Sequence, residues 1–363
     1  MMNSPPLSVS RYFRSYQQEF QRVILEKSEN FIGRGFVFDA IHDFLGHYKR
    51  GYFIIVGVPG SGKSAILAQF VNIHPLCIYY SVQVAGKNRV EEFLQIICTL
   101  LNELLASLQS SLSSPVGESE LLIENAAEGS WLLSLLLQQV SDNLADEQKL
   151  VIIIDGLDGV DLNCQPLGTN LFYLPRYLPD NVFFLLSRRP YHQTNSGLLI
   201  EAPVQILDLS DYQKENAEDI KLFIQQYLSV NSSPEAARGV NLIAEGENNF
   251  MYVQQVLQAE NVEMISPGLE AYYLQHWGKI QGDNLSDLEL QVLRVLTAGE
   301  YVDFPLVDIS QILDVDAYDV AEVLENWFEF LMERRVDKQS FYRFYHDGFR
   351  VWLGKRISGG VVG

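Results

Sequence analysis

The chain has 363 residues, room for two or three domains at about 100–200 residues each. Hydrophobic residues make up 47% and charged residues 20%, a globular balance that excludes collagen-like, wholly disordered and disulfide-scaffold classes. The 26 Lys and Arg against 46 Asp and Glu leave a net charge of −20, and a surface that acidic repels phosphate backbones and anionic membranes, arguing against nucleic acid and membrane as partners.

In chain order, residues 1–28 read as an N-terminal arm: a Pro/Ser-rich tip, then an amphipathic helix from Tyr12 to Lys27. The tip lacks a signal-peptide core, and no run of about 18 apolar residues follows anywhere. Cys77, Cys98 and Cys164 are far apart and form no CxxC pair, so reduced thiols and a cytoplasmic location are expected. From 29 to 208 short apolar runs alternate with helical patterns. The strand candidates are 52–57, 76–81, 150–155, 182–187 and 204–208, with long helices at 88–110 and 130–146 and a surface loop at 109–120. Buried strands separated by helices predict a parallel α/β sheet covered on both faces. Residues 209–283 carry helical patterns alone, a small helical domain. Residues 284–363 predict helices at 286–297, 307–313 and 316–332, then two short strands around 333–345, which is the winged-helix pattern. This last segment holds 8 Lys and Arg against 14 Asp and Glu, the wrong balance for a DNA-reading module.

The strongest motif is Gly57-Val58-Pro59-Gly60-Ser61-Gly62-Lys63-Ser64, which fits G-x-x-x-x-G-K-[ST] directly after an apolar strand and before a helix opening at Ala65. Glycines let the backbone wrap phosphates, and the N–H groups converge at a helix N-terminus. Lys63 supplies charge to the β- and γ-phosphates, and Ser64 a hydroxyl for Mg²⁺. A second motif, VIIIDGLDGVD (151–161), ends a buried strand in Asp155, a carboxylate placed to hold Mg²⁺. Asp158 follows three residues on, either orienting an attacking water or capping a turn. The separation of about 90 residues between Lys63 and Asp155 leaves room for one extra strand and predicts the strand order 5-1-4-3-2. A third run, VFFLLSRRP (182–190), ends a strand in Arg188 and Arg189. One of them should face the γ-phosphate, with the other a surface charge.

Together these motifs resemble signal-transduction ATPases of the STAND class, in the NACHT/AAA-like branch, over roughly residues 29–353. Phe31-Ile32-Gly33-Arg34 resembles the hydrophobic-hydrophobic-Gly-Arg motif that lines the adenine side in that family. Asp155-Gly156-Leu157-Asp158 resembles its Walker B form, and Ser187-Arg188-Arg189-Pro190 its sensor. EGENNFMYVQQVL (245–257), with Asn249 and Phe250, resembles a nucleotide-contacting helix of the helical domain. FYRFYHDGFRVWL (341–353) resembles the winged-helix motif in which a histidine, here His346, touches the β-phosphate of ADP; from the residues alone His346 also reads as a packed core side chain. Two departures stand out. The Glu that often follows the second Asp is Gly159 here, and the usual Gly-x-Pro of the helical domain is Asn249-Phe250. The resemblance implies ATP/ADP with Mg²⁺ as ligands, slow hydrolysis, nucleotide-dependent homo-oligomers and a protein partner for sensing or output. Two rival readings are an origin-binding or remodelling ATPase of the AAA+ type with a DNA-reading winged helix, and a non-hydrolysing nucleotide-dependent interaction module.

Overall fold

A computed structural model describes residues 18–110, 126–161, 164–166, 168–190, 197–230, 249–258, 273–274, 277, 285–298, 304–327, 330–336, 339–344 and 347–358. The chain divides into two compact units. One comprises 1–57, 62–189 and 193–219; the other comprises 58–61, 190–192 and 220–363.

The first unit opens with α1 (Gln18–Ser28) and α2 (Gly35–His47), then β1 (Gly51–Val56) and α3 (Lys63–Ile73). Next come β2 (Cys77–Ser81), α4 (Val90–Ser110), α5 (Ala126–Asn143), β3 (Leu150–Asp155), β4 (Val182–Arg188) and β5 (Val204–Asp208). All five strands run parallel, in the order β2-β3-β4-β1-β5. That is the order the motif spacing predicts, read from the other edge. Every residue of β1, β3 and β4 is buried, because helices cover both faces and leave no solvent side for polar alternation. Apolar continuity is therefore the signal of these strands, and it breaks only at their carboxyl ends. Val56 pairs with both Arg188 and Asp208, and Ser81 pairs with Asp155. Polar and charged side chains are thereby gathered along one edge of the sheet, just where the glycine-rich loop leaves β1.

α6 (Gln213–Val230) runs from the first unit into the second. There Ile220 and Ile224 pack with Val253 and Leu257 of α7 (Phe250–Gln258). The second unit continues with α8 (Asp287–Ala298), β6 (Phe304–Pro305), α9 (Leu306–Leu313), α10 (Ala317–Asn326), β7 (Leu331–Val336), β8 (Gln339–Phe344) and α11 (Asp347–Ser358). The strands form an antiparallel sheet in the order β6-β8-β7. The core beneath is aromatic: Phe330 stacks on Phe349 at 4.5 Å, and Arg356 lies over the rings of Trp277 and Trp352.

One sequence expectation is corrected here. The helix expected over 316–332 stops at Asn326, because Trp327 turns inward to 1% exposure and Phe330 follows it into the core, diverting the chain into β7. The two short strands expected around 333–345 are β7 and β8, and β6 adds a third where Phe304 and Pro305 pair with Tyr342 and Phe341. The arm helix is described from Gln18, so its expected start at Tyr12 and the tip before it lie outside the described residues, as does most of the loop at 109–120.

In the first unit Phe93 of α4 is fully buried, stacked on Phe172 at 4.4 Å and 3° and edge-on to Tyr80 at 5.1 Å. Phe93→Ala should lower unfolding free energy by about 3–5 kcal/mol, through lost transfer energy plus the cavity left behind. Urea unfolding followed by circular dichroism measures it; a loss under about 1 kcal/mol would mean the ring is not a core element.

Candidate nucleotide site

The loop after β1 is built by glycines where the backbone demands them. Gly60 has φ 79°, and a Cβ there would lie 2.3 Å from the Asn249 side-chain oxygen. Gly62 has φ 93° and stands at the N-cap of α3 with no side-chain cap, at the helix end that suits an anion. Gly57 is tied to the sheet by its N–H donating to the Arg188 carbonyl at 3.3 Å. Within the second unit Asn249 Nδ2 donates to the Pro59 carbonyl at 2.8 Å, and the Met251 N–H donates to the Gly60 carbonyl at 3.3 Å. Asn249 is buried and grips the loop tip, whereas Phe250 packs edge-on to Phe223 in the helical core.

Lys63 begins α3 and turns its ammonium onto the Gly57 carbonyl. Burial draws its pKa down to about 8; Asp158 is the strongest of the carboxylates that oppose the shift, and Arg189 adds to it.

Asp155 closes β3 at 1% exposure. Its Oδ1 accepts from Ser64 Oγ at 3.0 Å and from Ser187 Oγ at 2.6 Å, and its Oδ2 accepts from Tyr79 OH at 3.1 Å. The Gly156 N–H donates to Ser187 Oγ at 2.8 Å, which turns the serine's own proton toward Asp155. Burial, then the Asp155 charge, push the Tyr79 phenol well above its usual range, so it stays a donor.

Asp158 is held by Arg189 twice: Arg189 Nε lies 3.1 Å from Oδ2, and the Arg189 backbone N–H donates to Oδ1 at 3.0 Å. Arg188 is 6% exposed. The expectation that one of the two arginines is a surface charge is therefore corrected: Arg188 is buried at the end of β4 and Arg189 is engaged in an ion pair.

Arg34 takes the left-handed conformation, φ 63°, at the N-cap of α2, a position that costs a non-glycine residue about 1–2 kcal/mol. It is held there by its surroundings. Its N–H donates to Asp219 Oδ2 at 2.9 Å, its guanidinium bonds Asn216 Oδ1, and Asn216 Nδ2 donates to the Leu209 carbonyl at 2.6 Å. The guanidinium also flanks the loop: a Cβ on Gly62 would stand 3.6 Å from Arg34 Nη2. Desolvation draws the arginine down to about 10, with Asp219 opposing, so it remains a cation at neutral pH. Gly33, φ 71°, leaves room for the Asp219 carboxylate, which a Cβ would approach to 2.1 Å. Ile32 is half-buried beside it, and Ala65 sits half-buried in the first turn of α3. His346 lies outside the described residues.

Residues 30–185 match the AAA ATPase domain family. Over that stretch the chain carries a nucleotide-binding ATPase domain of the P-loop type. No curated protein matches this sequence. Among solved structures, the Walker-type ATPase of Pyrococcus abyssi is similar with a TM-score of 0.60 at 16% identity, covering 90% of this chain and 96% of that one. Drosophila ORC bound to DNA is more distant, with a TM-score of 0.32 at 13% identity over 94% of this chain and 99% of that one. A RuvB mutant of Thermotoga maritima stands equally far off, with a TM-score of 0.32 at 13% identity over 96% and 97%. At these identities the likeness to the Pyrococcus protein shows the fold, and the other two carry no further argument.

In this ATPase domain, Ser64 and Asp155 offer hard oxygen donors side by side, which fits a divalent cation such as Mg²⁺. Among the described residues no cluster of three or more His, Cys, Asp or Glu could hold a metal ion, so a cation at Ser64 and Asp155 would take its other ligands from phosphate and water. Ser187 belongs to the Ser187–Pro190 run, which assigns it no role, whereas Tyr79, Asn216 and Asp219 are site-side residues that the motifs do not reveal. Their only sequence signal is a polar group interrupting an apolar run or a helical face.

The lowered pKa of Lys63 has a measurable sign. In the free protein the ammonium is disfavoured, a penalty that is full below pH 8 and relieved above it. A bound phosphate restores the charged form. Nucleotide binding at pH 8.5 should therefore take up a proton, and affinity should fall as pH rises through 8. Calorimetry in two buffers of different ionisation enthalpy reads the uptake; none at pH 8.5 would mean that Lys63 already carries its proton in the free protein.

Proposed function

We propose that this chain is the switch core of a STAND-class ATPase of the NACHT/AAA-like branch. It binds ATP and ADP with Mg²⁺, hydrolyses ATP slowly and changes its self-association with the nucleotide held. Lys63 and the N–H groups of the loop and α3 bind the phosphates, and Ser64 and Asp155 hold the cation. Residues 284–363 serve as a winged helix, with His346 reading the β-phosphate of ADP. The partners are further copies of this chain and a protein that supplies signal or output. Its three free thiols suit a reducing cytoplasm. Among the described residues no helix is long and apolar enough to cross a membrane.

The observation that carries this reading is the Asp158–Arg189 pair. The carboxylate placed to orient water is occupied by two donors of Arg189, and the neighbouring Gly159 offers no base. Turnover then waits for the pair to open, which suits a long-lived bound state rather than a motor. A switch also needs each nucleotide to favour a different conformation, because a ligand shifts an equilibrium only by its differential affinity.

Light scattering of the protein with ADP, then with a slowly hydrolysed ATP analogue, should give a larger species with the analogue. Multiple-turnover hydrolysis should fall far below the enzyme median of about 10 s⁻¹. Lys63→Ala should abolish both nucleotide binding and the change in mass, since the loop N–H groups alone do not balance the phosphate charge. Turnover at or above the median would point to a remodelling motor instead. Salt-dependent capture of duplex DNA would favour the origin-binding reading.

A further inference from the structure

We infer that Tyr79 is a positioning residue of the cation site, acting through Asp155; the inference rests on the nucleotide reading above. The geometry begins in the sheet. Tyr79 pairs with Ile153 and Ser81 with Asp155, in parallel register. Partners in register point to the same face, and alternate residues of a strand share a face, so Tyr79 and Asp155 project on one side of the sheet. Two residues along a parallel strand span about 6.6 Å. A tyrosine ring leaning along the strand covers that distance, and its hydroxyl meets Asp155 Oδ2 at 3.1 Å.

The hydrogen-bond pattern at Asp155 gives that contact its weight. Of the three hydroxyls on the carboxylate, Ser64 stands on the phosphate loop and is itself a cation donor. Ser187 holds Oδ1 and is oriented by the Gly156 N–H. Tyr79 is the partner of Oδ2. Ser187 alone would leave the carboxylate free to turn about its Oδ1 hydrogen bond, whereas donors on both oxygens fix its plane. The tyrosine is itself held in place: it is fully buried, and Phe20 of α1 packs edge-on against its ring at 6.1 Å. A carboxylate whose rotation is locked presents its lone pairs to a cation without an ordering cost at the moment of binding. Partners of this kind, behind a metal ligand, typically change metal affinity by about 10- to 100-fold.

Tyr79→Phe keeps the ring and its packing and removes only the hydroxyl. The readout is ADP affinity, titrated with a fluorescent analogue in EDTA and again across a Mg²⁺ series, so no turnover is needed. In wild type, Mg²⁺ should strengthen ADP binding. In Y79F the EDTA affinity should match wild type and the melting temperature should fall by only a few degrees for the one buried hydrogen bond lost, while the Mg²⁺ concentration giving half of the strengthening rises by about tenfold. Equal Mg²⁺ dependence in the two proteins overturns the assignment. So does an affinity loss of the same size with and without Mg²⁺, which would make Tyr79 a packing residue. A wild type that binds no ADP, or whose affinity ignores Mg²⁺, overturns both the assignment and the nucleotide reading beneath it.

Discussion

A carboxylate taken out of water needs hydrogen bonds to its oxygens. At the end of β3 that demand is met by three hydroxyls drawn from three separate elements: the start of α3, the interior of β2 and the penultimate position of β4. The convergence depends on strand order. With β3 lying between β2 and β4, a residue at its carboxyl end has one donor-bearing neighbour on each side, and the loop after β1 brings the third. An order that took β2 or β4 away from β3 would leave Asp155 buried with fewer partners, at about 1–3 kcal/mol for each polar atom left unsatisfied. The sheet topology and the hydrogen-bonded carboxylate are thus one constraint seen at two scales.

The glycine-rich loop is shaped by a similar logic. Its positive-φ residues set the path of the backbone, but side chains elsewhere in sequence keep it there. Arg34 flanks Gly62 in the first unit, and Asn249 holds Pro59 in the second. Arg34 accepts a strained backbone because Asp219 and Asn216 over-determine its position. Preorganisation of that kind lowers the cost of binding a ligand.

Much of this was legible in the residues. The five apolar runs, the spacing of Lys63 from Asp155 and the glycine pattern are local signals, and they sufficed for the parallel sheet, its order and the phosphate loop. What stayed hidden depends on contacts between distant positions. The run Leu76 to Ser81 reads as a buried strand, and nothing in it says that one of its two tyrosines holds a carboxylate 76 residues away. Arg34 read as part of a motif, but its partners Asn216 and Asp219 lie on an ordinary polar face of α6. The tandem Arg188-Arg189 could not be resolved by pattern, because strand alternation sends one side chain inward and the ladder's end decides which backbone N–H is free to meet Asp158. At 316–332 the helical periodicity ran on past Asn326, since apolar residues spaced for a helix are equally suited to a turn that buries Trp327 and Phe330.

The close approach of Asp219 to Gly33 restricts how such a sequence can drift. With the backbone at φ 71° and a carboxylate where a methyl group would stand, position 33 tolerates no side chain while position 219 keeps its acid. Shortening the acid would open the space, yet it would also release the N–H of Arg34, whose left-handed backbone depends on that acceptor. Three positions in two distant stretches are therefore coupled through direct contact. Changes at one should be non-additive with changes at the others, as for residues in direct contact.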